Sequence, residues 1–156
     1  MIIRTATKED MDQLIRMRWD FTFEDDVDGN LKNEKYDDFY DECMEFLLDA
    51  FESGNWYIWV AEENGLLVSN MYIELIHKVP RPGRITYPFA YMTNVYTKPD
   101  FRGKGIGSRL ISKINEWAKE NRYEFIIVWP SDEGVDFYKK HGYQHCKEPM
   151  ENMFCE

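Results

Sequence analysis

The sequence predicts an α/β domain with a mixed sheet and helices on both faces, in the order βααβββαβαββ. Three observations predict it. Stretches of alternating or continuous apolar residues follow stretches with helical period. Asn64-Gly65 joins two strand stretches with a strong hairpin signal, since both positions tolerate positive φ. A strand, a glycine-rich turn, a helix and a second strand then succeed one another across residues 85–129. That succession is a βαβ unit, so its two strands are expected to be parallel.

Residues 2–4 form a short first strand. Thr7 suits a helix cap, with Glu9 and Asp10 as first-turn acids, and Met11, Leu14, Ile15 and Trp19 share one helical face. Glu24-Asp25-Asp26-Val27-Asp28-Gly29-Asn30 reads as an acidic loop. A second helix covers residues 34–53, with Tyr36, Phe39, Tyr40, Cys43, Leu47 and Ala50 on its apolar face and Gly54 as its C-terminal cap. Its other face carries Asp37, Asp38, Asp41, Glu42, Glu45, Asp49 and Glu52. Residues 56–63 and 66–77 are strands rich in aromatic and β-branched side chains. Residues 85–97 are the next, interrupted at Pro88, which has no N–H for a ladder. After the glycine turn a helix runs to about residue 121, then an apolar strand from 124 to 129 that Pro130 ends. A short helix over 132–141, capped by Gly142, precedes two short strands near 143–147 and 150–155. With no linker, repeat or low-complexity stretch, residues 1–156 read as one domain.

A chain that is 44% hydrophobic and 16% aromatic can bury a core. No apolar run approaches the ~20 residues that span a bilayer, and the N-terminus lacks a secretory signal, so a cytoplasmic protein is expected. The formal charge of −10 disfavours nonspecific binding to nucleic acid or anionic membrane. Cys43, Cys146 and Cys155 form no C-x-x-C pair and no His cluster accompanies them, so no metal is expected.

The chemistry concentrates at Asn94-Val95-Tyr96-Thr97-Lys98-Pro99-Asp100-Phe101-Arg102-Gly103-Lys104-Gly105-Ile106-Gly107-Ser108. Glycines leave the main chain open to close approach. The first N–H groups of the following helix have no internal partner and carry the positive end of its dipole, so the turn suits a phosphate. Lys98, Arg102, Lys104, Arg109 and Lys113 add local positive charge, whereas most acids lie before residue 53. A Walker loop needs a Gly-Lys-Ser/Thr ending that is absent, and neither glycine register completes G-x-G-x-x-G. Arg-x-x-Gly-x-Gly does fit, at Arg102, Gly105 and Gly107.

This pattern resembles the pyrophosphate loop of the GCN5-related N-acetyltransferase (GNAT) superfamily. The resemblance extends to Ser131-Asp132-Glu133-Gly134-Val135-Asp136-Phe137-Tyr138-Lys139-Lys140-His141-Gly142-Tyr143, which is similar to the family's short helix and its Tyr-x-x-x-Gly-Tyr ending. It implies a GNAT-like fold, acetyl-CoA as cosubstrate, and direct transfer of the acetyl group to an amine acceptor. Asn94, Val95, Tyr96 and Thr97 would then offer main-chain groups to the pantetheine arm. Arg102, Gly103, Lys104, Gly105, Ile106, Gly107 and Ser108 would hold the pyrophosphate. Ser131 would face the arm where many members have Asn, and Tyr138 would bind there and protonate the leaving thiolate. A phenol of reference pKa ~10 keeps its proton at neutral pH and can serve this role. Some members carry a catalytic Glu at the position of Tyr91, which is no base at neutral pH; Glu74 on the preceding strand, or water near Asn94, is the substitute. The acidic helix face, with Trp19, Phe23, Tyr36 and Tyr40, favours a cationic small-molecule acceptor. A protein N-terminus or lysine side chain stays open as acceptor, as does an acyl-CoA-binding module without catalysis. Many members pair through their C-terminal strands, which extends the implication to a homodimer.

Overall fold

The computed structural model describes residues 1–155. Strand β1 (Ile2–Thr5) passes through a 3-10 turn (Lys8–Asp10) into α1 (Met11–Glu24), and α2 (Tyr36–Ser53) follows. Three strands come next, β2 (Trp56–Glu63), β3 (Leu66–Ile76) and β4 (Phe89–Thr97). A 3-10 turn (Pro99–Phe101) then leads to α3 (Ile106–Glu120), β5 (Ile126–Val128), a further 3-10 turn (Asp132–Gly134) and α4 (Val135–Lys140). The strands lie side by side in sequence order, antiparallel from β1 to β4 and parallel between β4 and β5.

Local chemistry sets these limits. Asn64 and Gly65 both have positive φ, 53° and 81°, and turn β2 back into β3. Gly54 adopts the left-handed conformation that ends α2. β4 starts at Phe89 rather than near residue 85, because Pro88 has no N–H; its carbonyl instead accepts the Glu124 N–H (2.9 Å) where the approach to β5 begins.

The sheet is covered on both faces, which explains why β3 is apolar almost throughout. On one face Leu14, Ile15, Met17 and Leu47 of α1 and α2 pack on Ile58, Val60, Leu67, Tyr72 and Tyr96. On the other, Leu110, Ile111 and Ile114 of α3 and Tyr138 of α4 pack on Trp59, Met71, Ile73 and Met92. Burying one such large apolar side chain contributes about 1.5–3 kcal/mol.

The two expected C-terminal strands are not formed: among the described residues no strand follows Val128. Strand pairing needs a neighbour, and β5 offers only three residues before Trp129 and Pro130 depart. Residues 144–155 stay exposed, with Met150 97% and Phe154 88% accessible, and Pro149 removes a donor. Among the described residues no helix is long and apolar enough to cross a membrane, and no group of His, Cys, Asp or Glu side chains is placed to hold a metal. Cys43, Cys146 and Cys155 are free thiols.

Asp10 anchors the N-terminal corner. Its side chain is buried, accepts both terminal nitrogens of Arg4 (2.8 and 2.9 Å) and accepts the Thr7 N–H (2.8 Å). The Arg4 hydrogen bonds, opposed by burial and helped by Thr7, hold its carboxyl below the usual range. A depressed carboxylate adds stability above its unfolded pKa and loses it as pH falls through the folded value. Asp10→Ala is expected to lower the unfolding free energy by about 1–3 kcal/mol at pH 7 in denaturant titrations. The gap to wild type should narrow below about pH 4.

Candidate functional site

The site begins with one extra residue in β4. The β3–β4 ladder runs Tyr72↔Thr93 and then Asn70↔Tyr96, so Asn94 and Val95 oppose Met71 alone. Asn94 takes φ +50°, and its carbonyl accepts the side-chain amide of buried Asn70 (2.7 Å). Beside it, buried Ser69 donates to the Tyr96 carbonyl (3.0 Å) and meets the Thr97 hydroxyl (2.8 Å). The ladder to β5 stops at Met92↔Val128, so residues 93–97 have no strand on that side. Because the Lys98 N–H bonds back to Val68 (2.9 Å), alternation points Tyr96 toward β3 and turns the main-chain groups of Val95 and Thr97 into this opening.

At the far end of the opening the chain makes an anion cradle. Gly103 and Gly105 have φ +74° and +75°, with empty space where a Cβ would stand. Among the described residues, none of the six N–H groups of Gly103, Lys104, Gly105, Ile106, Gly107 and Ser108 has a main-chain acceptor; the Arg109 N–H is the first to bond back, to Gly105 (3.0 Å). A run of unpaired N–H groups opening a helix is a ready site for negatively charged oxygens. An open surface depression adjoins it, lined by Ile3, Ser108, Arg109, Ser112, Lys113 and Glu116.

The charges are less free than the sequence suggests. Arg102 forms a two-pronged pair with Glu24 at the end of α1 (2.9 and 2.7 Å), donates its Nε to the Thr97 carbonyl (2.9 Å) and lies over the Tyr96 ring. The Glu24 hydrogen bonds push the guanidinium's pKa further up. An acid from the acidic N-terminal part thus reaches the loop. Lys104 lies over Phe101, and Lys113 pairs with Glu116 (3.6 Å).

Tyr138 packs on the α3/α4 face of the sheet with Met71, Ile73 and Met92. It is 7% exposed, and burial pushes its hydroxyl up to about 12. Its hydroxyl makes no hydrogen bond to another described residue, so the proton is available. Gly134 lets the turn after Ser131 close on it: a Cβ there would lie 3.4 Å from the Tyr138 ring and 3.3 Å from the Ser131 oxygen. Gly107 faces Phe137 and Thr97, so α4, the cradle and β4 meet. His141 locks α4 to α3 through Ser108 (3.0 Å), and burial lowers its pKa.

Glu74 lies elsewhere. It stands on the α1/α2 face of β3, directly between Trp56 of β2 and Tyr91 of β4, half-buried and without an ion pair or hydrogen bond among the described residues. The sheet separates it from Tyr138. Trp19, Phe23, Tyr36 and Tyr40 pack against one another as the seam of α1 and α2, with Arg16 already over Tyr36. They form an internal contact rather than an open aromatic cage. Sequence reasoning missed Glu24, Ser69, Asn70 and Arg18, whose guanidinium donates to the Asn94 side chain (3.2 Å). Ser69-Asn70 did carry a signal, two polar residues inside an otherwise apolar strand; Glu24 and Arg18 carried none.

Gly105→Ala places a Cβ on a positive φ and is expected to cost about 1–2 kcal/mol. Gly107→Ala, in a helical turn with its nearest neighbours at 3.6 Å, is expected to leave stability unchanged or raise it by up to about 1 kcal/mol. Thermal unfolding should show a loss of stability for Gly105→Ala and none for Gly107→Ala.

Residues 54–145 match the acetyltransferase (GNAT) domain family. The chain is 27% identical over 150 residues to an uncharacterized N-acetyltransferase of Methanocaldococcus jannaschii, covering 91% of this chain but 60% of that protein. It therefore spans less than two thirds of that relative. A thialysine N-epsilon-acetyltransferase of Sus scrofa is 34% identical over 55 residues, 33% of this chain and 32% of that one. Among solved structures, a predicted acetyltransferase from Clostridium acetobutylicum, crystallised with acetyl-CoA, superposes with a TM-score of 0.78 at 26% identity over 97% of this chain and 95% of that one. With its opened β4, its glycine cradle and this match over more than half its length, the chain belongs to the GNAT acetyltransferase domain family.

Proposed function

We propose that this protein is an N-acetyltransferase that moves the acetyl group of acetyl-CoA directly to an amine acceptor. The observation that carries the proposal is the run of six N–H groups from Gly103 to Ser108 that have no main-chain acceptor among the described residues, standing at the end of a β4 segment beyond its ladder to β5. The pyrophosphate supplies acceptors for those donors. The extended arm lies along β4, where Val95 offers its main-chain groups and Thr97 its N–H, the Thr97 carbonyl being held by Arg102. The exposed acids of α2 attract a cationic amine to the same side of the sheet.

Tyr138 and Glu74 divide the proton work. The amine nitrogen bonds to the thioester carbon and the carbon–sulfur bond breaks. Glu74 takes the ammonium's extra proton through water before attack, the second nitrogen proton passes to solvent as the amide forms, and the sulfur takes a proton from Tyr138. The products are the N-acetylated amine and CoA thiol, and the phenol recovers its proton from solvent. Burial suits Tyr138 to this role, because its raised pKa keeps it protonated across the neutral range. An alkyl amine of reference pKa ~10.4 is almost wholly protonated at pH 7, which is why the second group is needed.

Thiol release from acetyl-CoA against polyamines, amino acids, aminoglycosides and peptides tests the activity, with thermal unfolding measured on the same sample. Ligand at a hundred times its dissociation constant adds about 2.7 kcal/mol of stability. An upward shift with thiol release is expected; no shift removes the proposal. Tyr138→Phe should keep acetyl-CoA binding while kcat falls by about 10²-fold or more. Wild-type kcat should show no loss from this group up to about pH 10, two units below its raised value. Glu74→Gln should lose most activity near pH 7 and recover as pH nears the amine's own pKa of ~10.4.

A further inference from the structure

Arg18 is a cation of α1 that forms no ion pair among the described residues. Acids outnumber bases 29 to 19, and the other arginine side chains of α1 and the cradle have carboxylate partners: Arg16 pairs with Asp20 and Arg102 with Glu24. Arg18 lies between them on α1 yet has no carboxylate within ion-pair distance among the described residues. Its Nη1 instead donates to the Asn94 side chain (3.2 Å), and the guanidinium is carried at 5.7 Å from the Phe21 ring. It is therefore held over the bulge, beside the β4 residues that have lost their β5 neighbour.

Three other polar side chains converge there from three further elements. Tyr72 of β3 is 4% exposed, and its hydroxyl lies beside Asn94; burial raises its pKa, while Arg18 and Asn94 act the other way. Cys43 of α2 is half-buried, and burial pushes its thiol up to about 11, with the charge of Arg18 opposing the rise and that of neighbouring Glu42 adding to it. Both groups are thus neutral at pH 7. The spot presents one fixed positive charge, a phenol donor and an amide, and no negative charge among these four groups. Such a set matches a carboxylate, which takes two parallel hydrogen bonds from a guanidinium.

We propose that Arg18, with Tyr72 and Asn94, binds a carboxylate of the acceptor, so that the acceptor class is an amine that also carries a carboxylate, such as an amino acid. The inference rests on the acetyl-transfer reading above. It divides the electrostatics by range. The acids of α2 attract the ammonium from a distance, and Arg18 then fixes the acceptor's opposite charge at the mouth of the opening.

Two acceptor pairs that differ only by the carboxylate test it: L-lysine against cadaverine, and L-alanine against ethylamine. In each pair that supports turnover, wild-type kcat/KM should favour the carboxylate-bearing member by tenfold or more, mostly through KM. Arg18→Gln should bring that ratio close to one, and Arg18→Lys should restore part of it. Acetyl-CoA-induced thermal shift, measured alongside, shows whether each variant is folded and loaded. A wild-type ratio near one overturns the inference and leaves acetyl transfer intact, as does an unchanged ratio in a loaded Arg18→Gln protein. No thiol release from any of the four amines also overturns it, and release from the wider panel then decides whether acetyl transfer itself survives.

Discussion

One additional residue in β4 separates a closed sheet from an open one. A regular β4 would give its outward main-chain groups to a continuing neighbour. The bulge at Asn94 changes the phase, and the chain bears the cost of a non-glycine residue at positive φ. Asn is among the residues that tolerate this best. Asn70 and Ser69, buried in the middle of β3, stabilise it by bonding to the Asn94 and Tyr96 carbonyls. Their own polar groups would be costly there without those partners. The bulge and the two buried polar residues thus depend on each other, and everything proposed for the opening depends on both.

The sheet also partitions the proposed chemistry. Tyr138 belongs to the α3/α4 layer, while Glu74 and Tyr72 lie on the α1/α2 face of the sheet. Glu74 stands opposite Tyr91, one residue pair before the end of the parallel ladder. Past Met92 the parallel ladder ends, and the two faces can communicate through the gap.

What the sequence revealed follows the range of the interactions. The hairpin at Asn64-Gly65, the cap at Gly54, the helical period of α3 and the cradle glycines depend on neighbours a few residues away, and each was legible. The family resemblance lay in the same local strings. The C-terminal strands failed because a strand is defined by a distant partner, and apolar residues such as Met150 and Phe154 resemble strand residues whether or not one exists. The position of Glu74 on β3 was legible; that it faces away from Tyr138 was not, because facing depends on register across the whole sheet. Glu24 read as part of an acidic loop, and only the fold brings it to Arg102.

That ion pair couples two parts of the molecule that sequence separates by 78 positions. The carboxylate already occupies the guanidinium that an incoming phosphate would attract. Binding of an anion that recruits Arg102 is then an exchange of partners rather than a simple addition. Released, Glu24 would free the end of α1 and the start of the loop toward α2. By reciprocity, whatever restrains that loop also changes the affinity of the cradle. The end of α1 and the glycine loop therefore share a hydrogen-bonded joint, and what disturbs one of them is felt by the other.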